Sequence, residues 1–319
     1  MADQMQDVEF EPIFPPFEQQ PWSQYAEARK FNTPGRPAPK KGSNVFVPIF
    51  LRDQFTLSTW MLMGASIQCL LVSVLGARLW IVALPVLMLG LRCLRTILQA
   101  RGMLKNPYME GVIPGKTTCH FPNSDGSYSG ATSNKSMAVL LISVKSNHPL
   151  GALAPGFKEL GEFFNGCVEW LEEDSHARGF LGMTTWLNAN DRATSNELLN
   201  IGYFRNVEDI HALAHHAIHR AGWKWWNQHS KSMEFFTLTH EIFVVDAGSW
   251  ENIFVNAKPT HLGTTVVKGD DGLWRSPLIR LGAAHRNSAN RLRRKQTEDE
   301  KKRQDETDAM AGEAYEPLA

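Results

Sequence analysis

From Phe55 to Ala77 the chain carries no charged residue, and Leu57 to Leu75 is mostly Leu, Met, Val, Ile and Trp. A helix that crosses a bilayer needs about 20 such residues, so this run qualifies on length. Gly76-Ala77-Arg78 interrupts it. A second apolar run, Leu79 to Leu91, precedes Arg92, and snorkelling of Arg92 and Arg95 extends it to Leu98. The competing reading is a buried pair of core helices, but long charge-free runs are uncommon in soluble cores. Residues 55–98 therefore read as a membrane helical hairpin. Lys40, Lys41 and Arg52 precede it, Arg92, Arg95, Arg101 and Lys105 follow it, and only Arg78 lies in the connection. Basic flanks favour the cytosolic side, so both ends of the hairpin are expected there, with the endoplasmic reticulum as the expected membrane. Pro85 inside the second run leaves a re-entrant segment open, and a single span would put the following domain on the other side.

The remaining composition narrows the partners. Lys plus Arg and Asp plus Glu number 33 each, so no net field recruits nucleic acid. Cys69, Cys93, Cys119 and Cys167 show neither CxxC spacing nor a disulfide framework, which fits a reducing compartment. The acidic, polar N-terminus is no cleavable secretory signal. Eight of the 17 prolines fall in residues 1–50. They disfavour regular elements, so residues 1–54 read as a mobile Pro-rich arm. Residues 99–134 read as a linker, 135–285 as the folded domain and 286–319 as a charged tail. In that tail Arg291, Arg293, Arg294 and Lys295 alternate with Glu298, Asp299 and Glu300, as in a solvated helix.

Within 135–285 the periodicity changes repeatedly. Met137 to Val144 is an apolar run of strand length. Pro155 to Glu172 places Phe157, Leu160, Phe163, Phe164, Cys167, Val168 and Leu171 at helical spacing. Gly182 to Leu187 and Asn200 to Phe204 are short strands, and Val207 to His229 is a second helix. Glu234 to Val245 and Ser249 to Asn256 read as two strands joined at Asp246-Ala247-Gly248. The order β-α-β-β-α-β with an extra strand predicts an α+β, ferredoxin-like split βαβ domain. One face of such a sheet carries both helices. The other must also be buried, commonly against a second copy to give a dimeric α+β barrel, so a homodimer is expected; the segments before Met137 or after Gly263 are the alternative cover.

Histidine is the unusual residue. On one continuous helix His211, His215 and His219 form a ladder beside the apolar stripe of Val207, Ile210, Ala214, Ala217, Ile218 and Ala221, while His216 projects toward solvent. Neither HExxH nor a carboxylate at ligand spacing completes a metal site. One neutral histidine could act as general base or axial haem ligand, or the set could be plain polar residues at a helix flank. His240 and Glu241 alternate along a strand, so only one of them can point into a given cavity. Trp186, Tyr203, Phe204, Phe236 and Phe254 supply aromatic surface suited to an apolar, planar or polycyclic ligand.

The stretch His219-Arg-Ala-Gly-Trp223-Lys-Trp-Trp-Asn227, then Thr239-His240-Glu241, then Asn252-Ile-Phe-Val-Asn256-Ala-Lys-Pro259-Thr-His-Leu-Gly263, resembles a monooxygenase-like family of the dimeric α+β barrel superfamily, of the fumagillin-pathway type. The resemblance covers roughly residues 135–265, and fungal members resemble this chain in carrying apolar segments upstream. It implies oxygenation of a lipophilic secondary metabolite, a polyketide or terpenoid. The resemblance supplies positions and not roles; the residues themselves make His219, His240 and Glu241 the catalytic candidates, with Trp186, Tyr203, His215, Trp223 and Asn256 toward the substrate. O2 is the co-substrate and no bound cofactor is expected, since no GxGxxG fingerprint follows the first strand. The alternatives are a haem-dependent, aldoxime-dehydratase-like lyase with His219 or His215 on the iron, and a non-catalytic ligand-binding or scaffold protein.

Overall fold

The two apolar runs form helices α1 (Leu57–Leu75) and α2 (Leu79–Ala100) in the computed structural model, which describes residues 9–18, 20, 52–189, 192–282, 288–292 and 297–311. Thr56 starts α1 by accepting the Thr59 N–H on its hydroxyl at 3.2 Å. A pair of soluble core helices would bury one face each. Here α1 buries no residue and α2 only Ile81, and both are long and apolar enough to cross a membrane. They belong to one compact unit, Asn44–Glu110 with Arg192–Ser195.

The second unit comprises Met1–Ser43, Gly111–Asp191 and Asn196–Ala319. Its elements run β1 (Ile113–Cys119), β2 (Met137–Ser146), α3 (Phe157–Glu173), β3 (Phe180–Leu187), β4 (Leu198–Phe204), α4 (Val207–His215), α5 (Ala217–His229), β5 (Phe236–Val245), β6 (Phe254–Ala257), β7 (Val267–Lys268), β8 (Trp274–Arg275) and β9 (Leu278–Arg280). The main sheet is antiparallel in the order β3-β4-β2-β5, the ferredoxin-like split βαβ arrangement. Alternation sorts its side chains. Ala138, Leu140 and Ile142 of β2 join Phe180, Met183 and Phe204 beneath Val168 and Leu171 of α3 and Ile210 and Leu213 of α4. Gly179 turns the chain into β3 with φ +61°, and Asp209 fills the space where a Cβ would stand, so only glycine fits.

The other sheet face departs from expectation. Met137, Val139, Leu181, Ile201, Tyr203 and Val245 are packed against Cys119, Phe121, Leu262 and Leu278 of the same chain. A second antiparallel sheet, β6-β1-β9, supplies this cover. A second copy is thus not needed at this end of the sheet. Residues 99–134 are not simply a linker, because β1 lies within them. Nor do β5 and β6 pair: Asn252 accepts the Cys119 N–H on its side chain at 2.8 Å and the Thr118 hydroxyl on its carbonyl at 2.7 Å, which draws the chain onto β1 instead.

Two described segments toward the ends of the chain are more ordered than composition suggests. Residues 9–18 of the expected mobile arm lie along the second unit. Phe10 N donates to Tyr128 O at 2.6 Å, Ile13 N to Leu278 O at 2.9 Å and Phe17 N to Trp274 O at 2.8 Å, with Phe10 buried. The rest of the arm, residues 1–8, 19 and 21–51, lies outside the described residues. Arg291 of the expected solvated tail is buried and ion-paired with Glu251 at 2.6 Å, and its carbonyl accepts from the hydroxyls of Thr132 and Ser133. Arg293, Arg294 and Lys295 fall outside the described residues.

Candidate active site

The expected histidine ladder is broken. His216 adopts φ −67° and ψ 150°, ending α4 and starting α5. Its Nδ1 accepts the Ile218 N–H at 3.4 Å, and its ring stacks on Trp170 at 4.2 Å. His216 is therefore half-buried and structural, whereas periodicity had placed it toward solvent. His211 and His215 are exposed on α4, and His219 is half-buried on α5.

His219 has a defined tautomer. Its Nδ1 lies 2.9 Å from the carbonyl of Ala214, which can only accept, so Nδ1 carries the hydrogen. Nε2 then presents a lone pair, the form needed in a general base. The ring meets Trp223 edge-on at 6.5 Å, and Trp223 is exposed.

The position of α5 follows from its packing. Ile218 meets Gly166, and Phe163 meets both Gly222 and Trp225, so α5 runs antiparallel to α3. At its C-terminal end Trp225 and Trp226 pack with Phe236, the first residue of β5. His219 lies about 10 Å back along the helix at 1.5 Å per residue. His240 pairs with Ile142 and so lies on the helix side of β5, where Leu238, His240 and Val244 are exposed. The helix side of the sheet thus carries two sets of candidates, His219 and Trp223 on α5 and Leu238, His240 and Val244 on edge strand β5. An apolar surface with a histidine base can hold a lipophilic molecule and deprotonate it.

The sheet divides the remaining candidates from these helix-side residues. Glu241 pairs with Leu141 and Trp186 with Leu199, both on the opposite face. Tyr203 also lies there, buried, with its phenol pushed up to about 12 by that burial, so it stays protonated. Asn256 accepts the Gly115 N–H on Oδ1 at 2.9 Å and has a left-handed backbone, φ 47°. Its amide oxygen holds β1 to β6 and is committed to structure.

One residue of note escaped sequence reasoning. His261 has φ 49°, a region disfavoured for non-glycine residues, and stacks on Trp186 at 4.6 Å with 7° between the planes. Burial lowers its pKa from the ordinary 6.5. Its only sequence signal was its place in the Pro259-Thr-His-Leu-Gly263 stretch. Among the described residues no group of three His, Cys, Asp or Glu could hold a metal ion.

Comparison with known proteins adds a family. A family model described as monooxygenase af470-like matches residues 137–262. Monooxygenase af470 of Aspergillus fumigatus is 32% identical over 223 residues, spanning 70% of this chain and 79% of that protein. Among solved structures, an aldoxime dehydratase in complex with butyraldoxime aligns at 13% identity and TM-score 0.35, over 47% of this chain and 39% of the other. SnoaB, a cofactor-independent oxygenase from Streptomyces nogalater, aligns at 16% identity and TM-score 0.22, over 34% and 91%.

Proposed function

The chain belongs to the monooxygenase af470-like family, and on that footing we propose that it oxidises a lipophilic secondary metabolite, a polyketide or terpenoid, with O2 and without a bound cofactor. The observation that carries this reading is His219, whose Nδ1–H is held by the Ala214 carbonyl so that Nε2 is the free base. His219 or His240 removes a proton from a phenol or enol seated on the helix side of the sheet. The anion gives one electron to O2, and the radical pair recombines as a carbon-bound peroxide. Collapse leaves one oxygen atom on carbon as a carbonyl and releases the other as water.

The helices α1 and α2 anchor the protein, in this reading, as a hairpin in the endoplasmic reticulum with both ends cytosolic. The catalytic unit assembles as a homodimer through apolar side chains still exposed on β5 and β6, among them Phe243 and Val255.

The test is comparative metabolite profiling in a producing strain. Deleting the gene should accumulate a precursor one oxygenation short of the product. Wild-type protein under 18O2 should restore the product with one labelled atom, and His219→Ala should not. Restoration by both His219→Ala and His240→Ala would reject the mechanism, and two labelled atoms per product would make it a dioxygenase.

A further inference from the structure

The sheet face opposite the helices carries a second built surface. Register aligns Trp186, Leu199, Ser143 and Thr239 in one row across β3, β4, β2 and β5. Thr184, Ile201, Leu141 and Glu241 form the next row. These two rows are incompletely covered: Trp186 is 41% exposed, Thr239 and Glu241 are exposed, and Leu199, Ile201 and Leu141 are half-buried.

The two ends of the rows differ in chemistry. At the β3 end stands the Trp186–His261 stack, and both rings are fixed. Trp186 Nε1 donates to the Thr184 hydroxyl at 3.1 Å, and the turn carrying His261 is closed by the Thr264 hydroxyl donating to the His261 carbonyl at 2.7 Å. At the β5 end stand oxygen acceptors. Buried Ser143 donates to the Glu197 carboxylate, so the 2.6 Å contact between Ser143 and Thr239 must have Thr239 as donor. That relay spends the Thr239 hydrogen and leaves its oxygen to accept from outside, beside the Glu241 carboxylate.

We propose that this face binds a flat, apolar, polycyclic molecule with a hydroxyl at one end. Its rings lie against the Trp186–His261 shelf and its middle on Leu199 and Leu141, with the covered Ile201 as the limit of the surface. Its hydroxyl donates to Thr239 or Glu241. Three strand intervals of about 4.8 Å give a span of roughly 14 Å, which suits a linear three-ring skeleton. The surface is on the sheet face opposite His219 and His240, so it stands or falls independently of which histidine is the base; it lies beside Phe243 on β5, and in the proposed homodimer it opens at the edge of that interface.

The experiment uses full-length protein in lipid nanodiscs, with 2-hydroxyanthraquinone as probe and empty nanodiscs as blank. Saturable binding above the blank is expected. Trp186→Ala and His261→Ala should each weaken it roughly fivefold to tenfold, the scale of one aromatic contact. Glu241→Gln should weaken the probe but not anthraquinone, which lacks the hydroxyl. If Trp186→Ala does not fold, Trp186→Phe serves in its place: it should retain most of the binding, and His261→Ala then carries the loss. No saturable binding, or unchanged binding in His261→Ala, overturns the proposal. So does binding lost in Trp223→Ala but kept in the Trp186 variant, because the probe would then occupy the helix side of the sheet.

Discussion

The side-chain amide of Gln68 on α1 donates to the backbone carbonyl of Ile81 on α2 at 2.7 Å. Ile81 is four residues before Pro85, which has no N–H to offer it, so its carbonyl lacks the usual helical partner. Gln68 supplies what Pro85 removes. In a hydrocarbon environment the alternative would be an orphaned polar group. A double-mutant cycle tests this coupling. Gln68→Leu should destabilise the hairpin by about 1 kcal/mol, the scale of interhelical hydrogen bonds in membranes. In the Pro85→Ala background the same change should cost almost nothing. Equal costs in both backgrounds, measured by unfolding in mixed detergent, would show that the two residues are not coupled.

The two histidines flanking the break between α4 and α5 should behave differently. His219→Ala should lower turnover by about 10²- to 10⁴-fold with the fold intact, the usual contribution of a general base. His216→Ala should instead lower the melting temperature, because it loses a helix cap and a stack on Trp170, together about 1–2 kcal/mol. Turnover and melting temperature measured on both variants check this. Loss of turnover without loss of stability in His216→Ala would contradict the assignment.

His261 predicts a direction with pH. Burial lowers its pKa in the folded state below the ordinary 6.5, so between these two values the unfolded chain binds a proton that the folded chain refuses. Its contribution is constant above about pH 6.5. It is lost as the pH falls from there through the folded pKa. Denaturant titrations should therefore show wild type losing stability from pH 7 toward pH 5 more steeply than His261→Gln. Parallel curves would remove the effect.

The docked N-terminal segment should be part of the stable unit. Phe10 is buried, meets the His120 ring at 4.6 Å and clusters with Tyr128 and Ile279. Phe10→Ala should cost about 3–5 kcal/mol, as for other buried phenylalanines. A thermal shift of no more than a degree would mean that the arm is dispensable.

Assembly separates two ways of covering the main sheet. With the hairpin residues 55–98 removed, the remainder should sediment as a dimer, and Phe243→Asp should dissociate it. A stable monomer at micromolar concentration would show that the same-chain cover formed by β1, β6 and β9 suffices.

What could be read from the residues was whatever had a period. The strands β2 and β5, the helix α3 and the pair α1–α2 all repeat an apolar pattern over enough residues to be recognised. The second sheet had no such signal. β1 holds Pro114 and Gly115, and its partners β6 and β9 are only four and three residues long. The break at His216 was equally hidden, because Ala214-His215-His216-Ala217 contains no helix breaker. A local side-chain cap and a ring on α3 make it worthwhile, and the ring is tertiary. Alternation did separate His240 from Glu241, yet it could not tell that Trp186 and Tyr203 would side with Glu241. That depends on strand register between distant segments. His261 stayed unnoticed for a similar reason, since its stacking partner Trp186 lies on another strand.

The cover sheet also sets an order of events during synthesis. Thr117 of β1 pairs with Phe254 of β6 and with Arg280 of β9, so β1 emerges from the ribosome long before either neighbour exists. The apolar end of the main sheet at Val139, Ile201 and Tyr203 has no lid until almost the whole unit has been translated. In the membrane-anchored form proposed above, α1 and α2 lie earlier in the chain and enter the membrane before that point, so the nascent unit is held at a membrane surface while this apolar face is bare. Its vulnerability to aggregation should therefore be concentrated in chains truncated before Leu278.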